Sequence, residues 1–186
     1  MCIELKRIIQ SMEEQYLVPS LNMVRRTFTD SENAEEAEVV VSLIKEIRSM
    51  STYVPELELI MVNDGDEVIG YAMFSRFHLG GKYQDELLLL SPVAVKTELQ
   101  RQHISKELIE YGFEKAAEMG FSAVLVEGNP QNYRSRGFQT SAAFGIVAAE
   151  SVGLPAPECL MVKELKKGAL EHISGMVDYS DYKALK

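Results

Sequence analysis

A mixed α/β fold (α+β in its layout), with a twisted sheet carrying helices on both faces, follows from three stretches of this 186-residue chain. Residues 87–127 read as strand, crossover helix and strand, a right-handed unit whose strands are parallel neighbours. Residues 57–77 hold two apolar runs on either side of Asn63-Asp64-Gly65-Asp66, a strong hairpin signal. Residues 11–48 twice show apolar positions at helical spacing.

In chain order, Cys2 to Ile9 alternates as a first strand. Ser11 reads as the N-cap of a helix that begins Met12-Glu13-Glu14, is bent or interrupted at Pro19 and continues to about Phe28. Asp30 or Ser31 then caps a second helix. Its acidic start, Glu32 to Glu38, complements the helix dipole and is read first as a solvated face. Val40, Leu43, Ile44 and Ile47 form the buried stripe, and Lys45 and Arg48 fall in the last turn. Leu57 to Val62 and Glu67 to Phe77 are the two strands of the hairpin.

The stretch from Leu87 to Ile109 carries the most information. Leu87 to Leu90 and Val93 to Val95 are apolar runs suited to a strand buried on both faces, and Pro92 interrupts them. Proline has no N–H for a ladder, so it marks a bulge or the end of pairing. A polar turn, Lys96 to Leu99, leads into a helix from about Gln102 to Met119, with Gly120 as its left-handed C′ residue. The amides of Gln100 to Ser105 then lie at a helix N-terminus, where free N–H groups and the positive end of the dipole suit a phosphate. Ala123 to Glu127 is the parallel partner strand. A bulge at Pro92 makes the two strands diverge and leaves main-chain groups of Val93 and Val95 without a strand partner.

Asn129-Pro130 opens a short helical turn with proline at its first position, and Tyr133 lies one turn in, facing the gap. Phe138 to Val147 and Glu158 to Leu165 read as the last two strands. Residues 1–165 are expected to form one domain, with the tail 166–186 packed on it.

Composition narrows the function. A net charge of −9 provides no broad basic field, so a general nucleic-acid binder is excluded. Cys2 and Cys159 make neither a disulfide framework nor a metal cluster and fit a reducing cytoplasm. His78, His103 and His172 are scattered without acid spacing, so no metal site is expected. No apolar run approaches the ~20 residues that span a bilayer, and no secretory apolar region opens the chain, which points to a cytoplasmic protein with no membrane partner.

Two blocks carry a family resemblance. P-V-A-V-x-x-E-x-Q-x-x-x-I-x-x-x-L-I, from Pro92 to Ile109, resembles the coenzyme A-binding motif of the GNAT N-acetyltransferase superfamily. In that family a splayed strand is followed by Q/R-x-x-G-x-G/A, which wraps the pyrophosphate of acetyl-CoA. G-N-P-Q-N-Y-R-S-R-G-F, from Gly128 to Phe138, is similar to the G-x-P-x-Y-Y-x-x-x-G-F block of the predicted-acetyltransferase subgroup called YhbS-like. Tyr53-Val54-Pro55-Glu56-Leu57 and the ending Gly168 to Tyr179 also look like that subgroup.

The resemblance implies a GNAT-like acyl-CoA N-acyltransferase fold with a splayed parallel strand pair. It implies that acetyl-CoA lies against Val93, Ala94, Val95, Gln100, Arg101, Gln102, His103, Ile104, Ser105, Asn129 and Tyr133. The pantetheine amides would pair with the free main chain of Val93 and Val95, and the two N-terminal helices would wall the acceptor site. A backbone amide near Val93 would polarise the thioester carbonyl, and Tyr133 would be the general acid that protonates the departing thiolate. Glu127 and Glu86 are candidate bases, each equally read as a solvated strand-end acid.

The chain departs from the pattern at His103 and Ser105, where the family has glycines, and at Asn132, where it has a first tyrosine; Gln100 is kept. The loop therefore either holds a pyrophosphate in altered geometry or has lost the cofactor. Two functions remain open. One is an N-acetyltransferase that moves an acetyl group from acetyl-CoA to a primary amine by direct attack in a ternary complex. The other is a non-catalytic GNAT-fold protein acting as an acyl-CoA sensor or interaction module. Polyamines, amino sugars, amino acids and protein amino groups are all open as acceptors, and exposed strand edges leave room for a homodimer.

Overall fold

The structure, a computed structural model, describes residues 6–186. Its first strand, β1, is Arg7–Ser11. Positions 2–5 of the expected strand lie outside the described residues. Ser11 closes this strand instead of capping a helix, and its hydroxyl donates to the Glu56 carbonyl at 2.8 Å. Helix α1, Leu17–Ser31, follows a single tight turn at Glu14–Tyr16. Pro19 is its third residue, where an N–H would have no helical acceptor, so the helix runs on through it. Asp30 and Ser31 belong to α1. The cap of helix α2, Ala34–Arg48, is Asn33, whose Oδ1 accepts from the Glu36 amide at 2.8 Å.

Strands β2 (Glu58–Asn63) and β3 (Val68–Arg76) form the hairpin, and β4 is Leu87–Val95. Helix α3, Ile104–Glu118, crosses to β5, Ala123–Glu127, and a four-residue helix α4, Pro130–Tyr133, follows. The expected strand Phe138–Val147 is two pieces, β6 (Gln139–Thr140) and β7 (Ile146–Ala148), parted by a helical turn. The break has a local cause: Gly145 takes φ 74°, and the Ser141 hydroxyl donates to the Ile146 carbonyl at 2.8 Å, turning the chain out of the sheet. Strands β8 (Leu160–Glu164) and β9 (Gly175–Val177) complete the set.

Among the described residues, one sheet runs β1-β2-β3-β4-β5-β8-β6, and β7 pairs with β9 in a separate ribbon. All neighbours in the larger sheet are antiparallel except β4 and β5. Helices α1 and α2 cover one face, where Val24, Ile44 and Ile47 pack with Tyr71, Leu87 and Leu89. Helix α3 covers the other, where Leu108 and Ile109 pack with Phe74, Leu88 and Val124. No helix among the described residues is long and apolar enough to cross a membrane.

A buried carboxylate ties the α2 end to the sheet. Glu58 is fully buried and accepts from Arg48 Nε at 2.9 Å and from the Tyr53 and Tyr71 hydroxyls at 2.6 Å each. Burial, then the Glu58 charge, holds the Tyr71 phenol well above its ordinary value. The α3 side depends on close approach. A Cβ on Gly112 would stand 2.2 Å from Cε2 of Phe74. Gly112→Ala therefore improves helix propensity yet must push α3 off β3, and a loss of about 1–3 kcal/mol is expected. Denaturant titration checks this; an unchanged midpoint would show that the contact yields freely.

Candidate active site

The site begins with a miscount between strands. Ala72 of β3 faces Val93 of β4, but Phe74 faces Leu90, so β4 carries one extra residue around Ser91-Pro92. This is the bulge expected at the proline. On its other edge β4 pairs with β5 only from Leu87–Ala123 to Leu89–Leu125. Beyond that point Val126 and Glu127 stay with β8, and β4 leaves them. The Val95 carbonyl is taken by two side chains, Thr27 Oγ1 and Gln100 Nε2, each at 3.2 Å. By strand alternation the main-chain groups of Val93 face the same gap.

The loop that follows keeps a path glycine would take. Arg101 and His103 both have φ 64°, in the left-handed region. His103 is the N-cap residue of α3 and its side chain caps nothing. The first helical bond runs from the Glu107 amide to the His103 carbonyl at 3.0 Å, so the amides of residues 104–106 are left without helical acceptors.

Gap and helix start together enclose a cavity of about 560 Å³. Val93, Ala94, Val95, Gln100, Arg101, His103, Ile104, Ser105 and Tyr133 all line it, joined by Thr27, Phe28 and Ser31 from the end of α1 and by Arg136. Gln102 and Asn129 do not. Gln102 Oε1 accepts from Arg7 at 2.6 Å, and Asn129 Oδ1 caps α4 through the Gln131 amide at 3.0 Å. In a chain of net charge −9, the cavity wall holds, among the described residues, two arginines and no carboxylate.

Tyr133 lies edge-on to Phe138, with ring centroids 5.7 Å apart. A Cβ on Gly128 would fall 2.6 Å from Cε2 of Tyr133, so the absence of a side chain there makes room for the phenol ring. Burial pushes the phenol up, and the Arg136 guanidinium pulls the other way.

A second cavity, about 640 Å³, lies beyond Pro92 along β4. Leu89 and Ser91, Glu127 of β5, one face of α2 (Glu36, Val39, Val40, Leu43) and the tail residues Tyr179, Tyr182 and Lys186 line it. Glu127 Oε2 accepts from the Tyr179 hydroxyl at 2.7 Å. Burial, then Asp181, pushes the Tyr182 phenol up to about 12. Glu86, the other candidate base, is in neither cavity and pairs with His172 Nε2 at 2.7 Å. His78 is likewise remote, 2.5 Å from Asp181.

A parallel pair splayed by a bulge, above an uncapped helix start, narrows the choice of fold family. The sequence pattern of the Acetyltransferase (GNAT) family matches residues 21–144, about two thirds of the chain. The chain belongs to the GNAT acetyltransferase family. Its relatives include the uncharacterized N-acetyltransferase YhbS of Escherichia coli K12, 26% identical over 161 residues, which are 86% of this chain and 88% of YhbS. The crystal structure of E. coli YhbS in complex with CoA superposes with a TM-score of 0.83 at 23% identity, over 100% of this chain and 94% of that one. A GNAT acetyltransferase from Brucella melitensis in complex with acetyl-CoA gives 0.71 at 20% identity, over 97% and 99%. These two likenesses establish the GNAT fold.

Within that fold, residue 103 takes the backbone shape that a glycine holds at no steric cost. His103→Gly is expected to leave stability unchanged or raise it by up to about 1 kcal/mol, whereas the β-branched His103→Val lowers it by about 1–2 kcal/mol. Chemical denaturation of the two variants provides the check; equal effects would mean that the left-handed path is not held in solution.

Proposed function

We propose that this chain is an N-acetyltransferase that moves an acetyl group from acetyl-CoA to a primary amine by direct attack in a ternary complex. One observation carries the reading. Two cavities lie on either side of Pro92 along β4: among the described residues one is lined by arginines and no carboxylate, the other by Glu36 and Glu127 with Lys186. An anionic cofactor suits the first and a cationic acceptor the second. The apolar wall of the second, from Val39, Leu43 and Leu89, favours an amine with an apolar body.

The residues present fit the cofactor. Unpaired main chain on β4 suits the amides of a pantetheine arm, and the free amides of residues 104–106 suit a diphosphate. Two structural relatives, determined in complex with CoA and with acetyl-CoA, support the same group. Bound acetyl-CoA supplies a thioester whose acetyl carbon the amine attacks as the thiolate leaves. Val93 N–H would donate to the carbonyl oxygen. Glu127, held by Tyr179, takes the proton of the acceptor ammonium, directly or through one water. Tyr133 Oη would give its proton to the departing sulfur and be reprotonated, directly or through water, by the proton that the new amide nitrogen sheds. Because burial raises the phenol above its ordinary value, Tyr133 stays protonated through the neutral range, and loss of this acid belongs to the alkaline side of the pH profile.

In this reading residues 1–165 form the catalytic domain and 166–186 complete its acceptor side. Cys2 and Cys159 support a cytoplasmic location, and the β1 edge, with Ile8 59% exposed, supports a homodimer.

Tyr133→Phe is expected to slow thiol release about 10²- to 10⁴-fold while leaving acetyl-CoA affinity intact. Unchanged turnover removes Tyr133 from the chemistry. Glu127→Gln keeps the hydrogen-bond acceptor for Tyr179 but not the base, and a similar drop in kcat is expected with cofactor affinity preserved. Thiol release across a panel of primary amines, alongside calorimetric titration, reads both. Binding without release on any amine would favour an acyl-CoA sensor, and no binding at millimolar acetyl-CoA would remove the transferase.

A further inference from the structure

Arg136 reaches across the mouth of the gap. It belongs to the turn after α4, on the β5 side, yet its Nη2 donates at 2.7 Å to the hydroxyl of Ser105, the second residue of α3 on the β4 side. Its Nη1 donates to the Asn132 carbonyl. Its Nε is buried and has no partner among the described residues. A buried N–H left unpaired is costly, so this edge of the guanidinium calls for an acceptor. The cavity that Arg136 lines holds Arg101 as well and, among the described residues, no carboxylate that could serve as one.

Resting on the acetyl-CoA reading above, we infer that Arg136 is the cofactor's pyrophosphate clamp and takes over the work of the missing loop glycines. Glycines let backbone amides close on a phosphate. With His103 and Ser105 in their places, side chains occupy that approach. A guanidinium offers the matching solution: its Nε and Nη2 lie on one edge and bind a phosphate through two parallel hydrogen bonds. The Ser105 hydroxyl holds Arg136 over the helix start and can itself donate to the same anion. The signature thus moves from the loop to the facing segment.

Calorimetry with CoA, dephospho-CoA and pantetheine separates the possibilities. Arg136→Gln is expected to weaken CoA and dephospho-CoA by the same factor, about 10- to 100-fold, and to leave pantetheine unchanged. Arg136→Lys recovers only part, because an ammonium lacks the two-pronged edge. Equal loss for pantetheine would make Arg136 a merely structural residue, and no loss for CoA would overturn the clamp. A loss confined to CoA, sparing dephospho-CoA, would also overturn it, in favour of the 3′-phosphate. Inorganic pyrophosphate gives an independent arm through the melting temperature. If CoA binds neither protein but pyrophosphate protects the wild type and not Arg136→Gln, the clamp stands and the transferase reading falls. If neither ligand binds the wild type, both fall. Should Arg136→Gln not fold, Arg136→Lys carries the comparison, with an undiminished CoA affinity counting against the clamp.

Discussion

The extra residue that β4 inserts near Ser91-Pro92 acts on the side chains and on the backbone together. It shifts the pleat, so Leu87, Leu89 and Ala94 face α1 and α2 while Leu88, Leu90, Val93 and Val95 face α3. It also bends the strand away from β5 after three paired positions. Without it β4 and β5 would zip to their ends, and no polar backbone would remain to receive a ligand. The protein satisfies only part of what it opens. Thr27 and Gln100 cover the Val95 carbonyl, and the rest of the edge faces a cavity. Unpaired peptide groups beside apolar walls define a place for a slender molecule that carries its own amides.

Charge is then sorted along the gap. The chain has 28 acidic residues, yet among the described residues none lines the cavity at the start of α3. Its acids serve elsewhere: at the start of α2, in the buried Glu58 cluster, and in the second cavity through Glu36 and Glu127. Charges in clefts with low-dielectric walls act more strongly than in open water. An anion would find the first cavity favourable and a cation the acids of the second, on the other side of Pro92. The overall negative charge therefore conceals a local positive field, which composition alone could not reveal.

Much of this was legible in the sequence because it is local. Proline in an apolar run gave the bulge, Asn-Asp-Gly-Asp the hairpin, and the short spacing from Leu87 to Glu127 the parallel pair. Misreadings occurred where a good local signal lost to a contact from far away. Ser11 has the chemistry of a cap, but pairing with Leu59 keeps it in a strand. Asp30 and Ser31 could cap α2, but α1 is long enough to absorb them. Gln102 lies in the motif, and an ion-dipole contact with Arg7, 95 positions away, turns it out of the cavity. Thr27, Phe28, Ser31 and Arg136 went unnoticed for the converse reason, since only the packing of α1 and the turn after α4 brings them there. Tyr53, read as part of a family block, hydrogen-bonds buried Glu58 instead of lining either cavity.

The loop shows how a signature can be lost while its geometry survives. The start of α3 is fixed from beneath: a Cβ on Gly70 would meet Ile104 and Leu108 each at 2.8 Å, and Gly112 lies as close to Phe74. With β4 ending at Val95 and α3 pinned at Ile104, the connecting residues have little choice of path. Left-handed turns at 101 and 103 follow from where the two elements are held, whichever residues occupy those positions. Glycine meets that demand without strain, and Arg101 and His103 meet it at some cost. In return they bring N–H donors to the rim of the cavity. The docking of α3 onto β3, more than the loop's own sequence, keeps the helix amides aimed at an anion.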